Sequence, residues 1–431
     1  MSPSLYVPSH GRWVVNKPAV LDGWTYGQRT LPRAQQPRDK KAISNDRKLA
    51  PVIEEFQQLI EDDPELFMHF HRMFDEVQRQ NSELNHVYSY KELMVALDRI
   101  ITQAPRFGGA SNLVMGVPMY AVLAPFCNTP SGYSVFTNPK VNAQLHKIFD
   151  VWTEFLVSPE SCYVLSTNEQ CWFSPMALDV MSQRLGTSFY DAWVCRDSDP
   201  NKHYGFTSWD DFFTRRFRPQ MREVLDPDNP NLITAACEAY VHTIQSNVRA
   251  LDKFWIKGHT YSLSHIFNHD PFTPLFVGGT VYQGILSSLD YHHWHSPVDG
   301  IVRKTCLIPG TYYAARLDSD PDPDVVSRSQ DFVTAVAARA LIFIESDNPV
   351  IGLMCFVAVG LGEVSTCEIT VKEGDRLKKG DDLGSFHFGG STHCLVFRPQ
   401  TPLKPFPHVQ PGTVQNVNSN IFYIEGGSEK N

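Results

Sequence analysis

Nine cysteines are scattered through the 431 residues without one Cys-x-x-Cys pair. That spacing argues against a disulfide framework and a structural zinc site, and leaves buried free thiols as the expectation. Excess positive charge is also missing. The 38 Lys and Arg residues against 47 Asp and Glu leave a net charge of −9, which argues against nucleic acid or an anionic membrane as the main partner. No apolar run is long enough to span a bilayer, since the most apolar window, Leu113–Phe126, is short and holds Pro118 and Pro125. The N-terminus has neither a charged-then-apolar signal peptide nor an Arg-rich, acid-poor transit segment. A cytoplasmic protein without an integral membrane span is therefore expected. Repeats with a period of about 20–50 residues are absent.

What remains is the composition of a globular protein, 42% apolar and 20% charged, in a chain longer than one core usually supports. Residues 1–48 are rich in Pro, Lys, Arg and Gln without periodicity and predict an irregular leader. Residues 49–195 predict an all-helical domain. Val52, Phe56, Leu59 and Ile60 form one stripe, Asp63-Pro64 reads as an N-cap with proline at the first helical position, and Ser89-Tyr90-Lys91-Glu92 reads as a capping box. Val141, Leu145, Ile148, Phe149, Trp152, Phe155 and Leu156 predict a longer helix. After residue 205 the pattern becomes short β-branched or aromatic runs bounded by Gly, Pro and Asp: 254–256, 275–277, 340–344 and 354–359. An α+β protein follows, a helical N-terminal domain and then a β-rich domain over 205–431.

The segment Lys379–Thr392 concentrates the chemistry, ending in Gly389-Gly390-Ser391-Thr392. Ser391 could be a loop serine. A Gly-x-Ser-x-Gly hydrolase elbow is ruled out, because His393 stands at the final glycine and no strand-to-helix pattern surrounds it. Self-cleavage is the third reading: glycine leaves the backbone bare enough for a serine hydroxyl to approach the preceding carbonyl, and a base must activate that serine. The cluster Tyr291-His292-His293-Trp294-His295-Ser296-Pro297 holds candidate bases, with a side-chain pKa near 6.5 suited to moving protons at neutrality.

Three segments in order, Phe206–Phe217 with its Phe-Phe-Thr-Arg element, the Tyr-His-x-x-His-x-Pro element at 291–297, and Lys379–Thr392, resemble the phosphatidylserine decarboxylase family. The resemblance implies a β-rich pyruvoyl-dependent decarboxylase domain that cuts itself between Gly390 and Ser391. Ser391 would become the covalent pyruvoyl group, with no PLP and no metal, and the β and α chains would stay associated. It implies that His295 takes the proton from Ser391, that His292 lies close to the substrate carboxylate, and that His293 holds a variable position without a role. The family's orienting aspartate corresponds to Glu238 in Ala235-Ala236-Cys237-Glu238-Ala239, which lacks the Pro and Gly of the usual turn. Asp299, in Ser296-Pro297-Val298-Asp299-Gly300, is the runner-up, with a structural turn role preferred.

Other features are read as decoys. His265 and His269 have zinc-helix spacing but Ile266 where a catalytic Glu would stand, and no metal site is expected. The acidic run from Asp318 imitates a calcium loop but has Pro323 and Ser329 at two required positions. His69 and His71 read as surface or interface residues, and Cys394 as packing. Arg215 and Arg216 are read either as anion ligands or as ion pairs behind Phe212 and Phe213.

From about residue 50 the chain also resembles the fungal L-tryptophan decarboxylases of the family, which share Gly-Gly-Ser where phospholipid enzymes usually have Leu-Gly-Ser. A free aromatic L-amino acid, tryptophan first, is thus the expected substrate, decarboxylated to its amine through a Schiff base. The alternatives are phosphatidylserine and, from a different class, an uncleaved scaffold.

Overall fold

Proline-led helices dominate the first half of the described chain. The structure, a computed structural model, describes residues 48–79, 87–107, 117–252, 261–287, 289–317, 329–363, 366–388 and 391–425. The leader up to residue 47, the 254–256 strand, the calcium-like run from 318 and Gly389-Gly390 lie outside them. Helices α1 (Pro51–Asp62), α2 (Pro64–Arg79), α3 (Tyr90–Ile100), α4 (Pro118–Cys127), α5 (Pro130–Thr137) and α6 (Pro139–Leu156) form the first group. Proline at the first position lacks only an N–H that has no helical partner anyway. Asp63 caps α2 by accepting from Glu65 N and Leu66 N at 3.2 and 3.3 Å. At α3, Ser89 Oγ accepts from Glu92 N (3.2 Å), and Glu92 reaches back to Tyr88 N (2.9 Å). α7 (Pro175–Leu185), α8 (Phe189–Ala192) and α9 (Trp209–Phe213) follow before the first strand.

The second half forms sheets, with short helices α10 (Leu263–Ile266) and α11 (Gln330–Val336) interposed. Its strands are β1 (Leu232–Thr234), β2 (Ala239–Ser246), β3 (Thr280–Leu286), β4 (His293–His295), β5 (Gly300–Ile308), β6 (Arg339–Ser346), β7 (Leu353–Gly360), β8 (Thr366–Ile369), β9 (Arg376–Leu377), β10 (Asp382–His387), β11 (Ser391–Phe397), β12 (Leu403–Pro405), β13 (Val414–Gln415) and β14 (Asn420–Ile424). Eight strands make the main sheet in the order β13-β2-β3-β11-β7-β6-β5-β9. Two three-stranded sheets, β4-β10-β8 and β1-β14-β12, accompany it. Every residue of β7 and β11 is buried, so both strands are covered on two faces and read as continuous rather than alternating apolar runs. β11 is antiparallel to β3 on one side and β7 on the other.

The strand expected over 275–277 is instead the end of a 3-10 turn, Thr273–Phe276. Pro274 fits a first helical turn, and Asp270 fixes the entry by accepting from Phe272 N at 2.9 Å. The helical and β-rich parts touch through named contacts. Glu363, just past β7, accepts from Met119 N (2.9 Å) and Tyr120 N (3.1 Å) at the start of α4. Asn142 of α6 accepts from Tyr312 N at 3.1 Å.

Candidate active site

Ser391 opens β11, with Leu286 of β3 and Gly360 of β7 as its cross-strand partners. Its side chain is fully buried, and Oγ has no hydrogen-bond partner among the described residues. A buried hydroxyl left unpaired costs free energy in an ordinary packed position. Its neighbour Thr392 is satisfied, donating to Gly284 O and accepting from Gln283 Nε2, both at 2.9 Å. Gly284 is required there: a Cβ at that position would lie 2.6 Å from His393 Cε1. Upstream, Phe388 has φ 68°, the left-handed region that a phenylalanine seldom adopts.

Strand alternation sorts the histidine cluster into two faces. Trp294 points to the main sheet, 5.3 Å from the ring of Phe356 in β7 and 4.8 Å from Phe386 in β10. His292 shares that parity. It is fully buried, stacked 3.9 Å from Phe213. The stack continues from Phe213 to Trp209 (5.0 Å) and from Trp209 to Phe388 (6.1 Å), linking His292 to the segment that enters Ser391.

His293 and His295 occupy the opposite face. His295 Nδ1 lies 2.7 Å from Gly380 O and Nε2 lies 2.9 Å from Tyr291 Oη. A carbonyl can only accept, so Nδ1 carries the proton and Nε2 accepts from the tyrosine. Burial pushes the His295 pKa down, which favours the neutral form with a basic Nε2. His293, assigned no role from sequence, is held at both nitrogens, by Asp382 Oδ2 (3.0 Å) and Thr214 O (2.8 Å). Burial alone would raise the Asp382 carboxyl, but contacts with His293 and Arg216 outweigh it and hold the pKa at about 2.

Glu238 does not hydrogen-bond to His295. Its oxygens accept from Arg222 Nε at 2.9 Å and Nη2 at 2.5 Å, and one also accepts from Val417 N at 2.9 Å. Glu238 and Tyr291 of the histidine cluster line one small cavity together with Trp193, Phe217 and Asp290. Asp299 accepts from Lys379 N at 2.7 Å and so fastens a turn. Arg216 pairs with Asp382 (2.7 Å), whereas Arg215 is buried, donating to Phe212 O and Leu289 O with its cation 4.3 Å from the Trp193 ring. Burial lowers the Arg215 pKa to about 9. Arg215 thus packs its cation on aromatic rings, with Asp290 the carboxylate that acts on its charge. Tyr291 and Arg222 were missed as functional partners. Tyr291 stood inside the motif and could have been found there, but Arg222 lies 16 residues from Glu238 in a stretch without any signal.

Ser391 at the head of β11 and His292 in its aromatic stack are thus both buried, and His295 keeps a basic Nε2 at the end of β4; Gly390 itself lies outside the described residues. Comparison with known proteins gives the same two-part layout. Two family models described as phosphatidylserine decarboxylase match residues 50–181 and 209–423. The chain is 43% identical over 323 residues to decarboxylase iboD of Amanita muscaria, covering 70% of this chain and 92% of that one. It is 39% identical over 402 residues to an L-tryptophan decarboxylase of Psilocybe cubensis, covering 89% and 88%. With phosphatidylserine decarboxylase proenzyme 3 of Schizosaccharomyces pombe it shares 32% over 195 residues, 45% of this chain and 19% of the other.

Proposed function

We propose that this chain, which belongs to the phosphatidylserine decarboxylase family and is a carboxy-lyase, cuts itself between Gly390 and Ser391 and then decarboxylates a free aromatic L-amino acid, tryptophan first. The observation that carries the reading is the buried Ser391 hydroxyl at the head of a central strand, without a hydrogen-bond partner among the described residues. Such an orphaned group fits a residue whose chemistry lies ahead of it, and it fits the precursor of a pyruvoyl group.

In the proposed cut, Ser391 Oγ gives its proton to His295 Nε2 and attacks the Gly390 carbonyl carbon. The C–N bond breaks as the C–O bond forms, so the amide becomes an ester and the nitrogen takes up the proton. Elimination across the Cα–Cβ bond of residue 391 expels the Gly390 carboxylate, and water then releases ammonia to leave a ketone at the new terminus. His295 Nε2 now faces Tyr291, so it must exchange that hydroxyl for the serine. When present, the ketone group withdraws electrons from an amino acid joined to it through its amine, the role otherwise played by pyridoxal phosphate. His292, buried against Phe213, holds the proton that replaces carbon dioxide on the α-carbon. Glu238 supports the cluster from behind Tyr291. The two pieces stay together because β11 belongs to one and β3 and β7 to the other.

Three observations support a free amino acid: the name of the Psilocybe relative, the net charge of −9, and the lack, among the described residues, of a helix long and apolar enough to cross a membrane. Phosphatidylserine is the second reading, favoured by the description of both matching family models.

The test starts from intact mass and a denaturing gel. Cleavage gives pieces of 390 and 41 residues (431 minus 390), the smaller about 4.6 kDa by proportion from 48.8 kDa. Ser391→Ala should give one intact, inactive band. An uncut wild-type chain with full activity would end the proposal, and an uncut chain without activity would favour a scaffold. Purified protein offered tryptophan, tyrosine, phenylalanine and phosphatidylserine should release the aromatic amine. Phosphatidylethanolamine alone as the product would decide for the lipid.

A further inference from the structure

His387 ends β10, four residues before Ser391, and its imidazole is held from two sides. Nδ1 lies 2.9 Å from Asp210 Oδ1 of α9 and Nε2 lies 3.0 Å from Glu368 Oε2 of β8. Both partners are carboxylates and can only accept, so both ring nitrogens carry protons and the side chain is an imidazolium. The next residue, Phe388, sits between Trp209 of α9 (6.1 Å) and Trp152 of α6 (6.2 Å). At its other end α9 presents Phe213 to His292. A single turn of helix therefore grips the chain just before the proposed cut and, on the same element, the histidine proposed for the later step.

We infer that α9 braces the segment entering the scissile bond, and that His387, clamped between Asp210 and Glu368, is a positioning residue for self-cleavage. The inference rests on the self-cleavage reading above. Attack by Ser391 needs its oxygen aligned on a carbonyl one residue away, and misplacement by about 1 Å can cost on the order of a hundredfold. Phe388 in its left-handed conformation makes that segment expensive to hold. The ion pairs on one side of it and the tryptophans on the other supply the restraint. After the cut, the same contacts keep the tail of the longer piece, with its new carboxylate, from leaving the site.

The charged groups facing His387 are Asp210 and Glu368, from the two elements packed against it. Burial alone would lower its pKa, but the Asp210 contact, followed by that of Glu368, outweighs burial and raises it to about 9. The charge on the brace is thus present at neutral pH and is lost as pH rises through about 9.

The experiment follows the conversion of freshly made full-length chain into its two pieces on a gel, from pH 6.5 to 10, alongside Tm. His387→Gln should slow conversion about tenfold or more at pH 7.5. His387→Arg, which keeps the cation between the two acids, should restore it to within about threefold and keep its rate at pH 9–10, where the wild type slows. Asp210→Asn should slow conversion more than Glu368→Gln, because Glu368 is the more exposed partner. Once fully cut, His387→Gln protein should decarboxylate at close to the wild-type rate. Wild-type cleavage with an equally fast His387→Gln overturns the inference and leaves the reading intact, as do Gln and Arg variants slowed alike with lowered Tm. A wild type that never cleaves overturns the reading itself.

Discussion

Glu238 carries a buried charge and also the role proposed for it in the cut. The Arg222–Glu238 pair has 12% and 8% of its side-chain surfaces exposed, and removing one partner of such a pair typically costs about 3–5 kcal/mol because the other is left uncompensated. Glu238→Ala should therefore lower unfolding free energy by about 3 kcal/mol in urea titrations. Glu238→Gln keeps an acceptor for Arg222 and for Val417 N, so its fold should survive while cleavage slows, as read on a gel. Replacing His295 by Ala should block the cut, and His292→Ala should permit it while reducing carbon dioxide release by about a hundredfold or more. A His292 variant that stays whole would transfer the base role to His292. These residues were legible as a set, because histidine spacing and the Gly-Gly-Ser run are chemical signals. Their pairing was not. Glu238 was expected at His295 and meets Arg222, since a contact between side chains 16 positions apart in loops leaves no periodicity to read.

Among the elements, the start of α4 is one whose stability should depend on pH near neutrality. Glu363 takes the place of an N-cap from a distant loop, accepting from Met119 N and Tyr120 N while Tyr313 Oη donates to it at 3.1 Å. Burial raises its pKa to about 7, from an ordinary 4.5. Between those two values the folded chain holds a proton that the unfolded chain has released, so this group makes stability fall as pH rises from about 4.5 to 7. Denaturation of wild type and Glu363→Gln across that window should show a fall in the wild type that the variant lacks. A parallel pair of curves would refute it. Elements with long periodic runs or cap signals were legible, including the Ser89 capping box, the Asp63-Pro64 start, and the strands at 339–346 and 353–360. The turn at Thr273–Phe276 was not, because three apolar residues fit a strand and a helical turn equally, and the deciding partner, Asp270, lay outside the apolar run.

For the molecule as a whole, the proposed cut falls at the head of a strand with neighbours on both sides. The 41-residue piece (431 minus 390) would carry β11 to β14, with β11 inside the eight-stranded sheet and β14 between β1 and β12. Under native conditions both pieces should therefore elute together on size exclusion at the size of the uncut Ser391→Ala protein, and separate only in denaturant. Late elution of a separate peptide of about 4.6 kDa by proportion would contradict the sheet order. The broad plan, helices first and sheets after, was readable because periodicity switches near residue 205. The order of strands was not, because β11 pairs with β3 across more than a hundred residues, 391 against 286.

If the proposed cut takes place, the position of Ser391 between two partner strands imposes a sequence of events on each molecule. β3 and β7 must already flank the serine before its oxygen can be aimed, so a chain that has folded wrongly stays unarmed. Maturation then serves as its own inspection, and every armed copy carries proof that its sheet once closed.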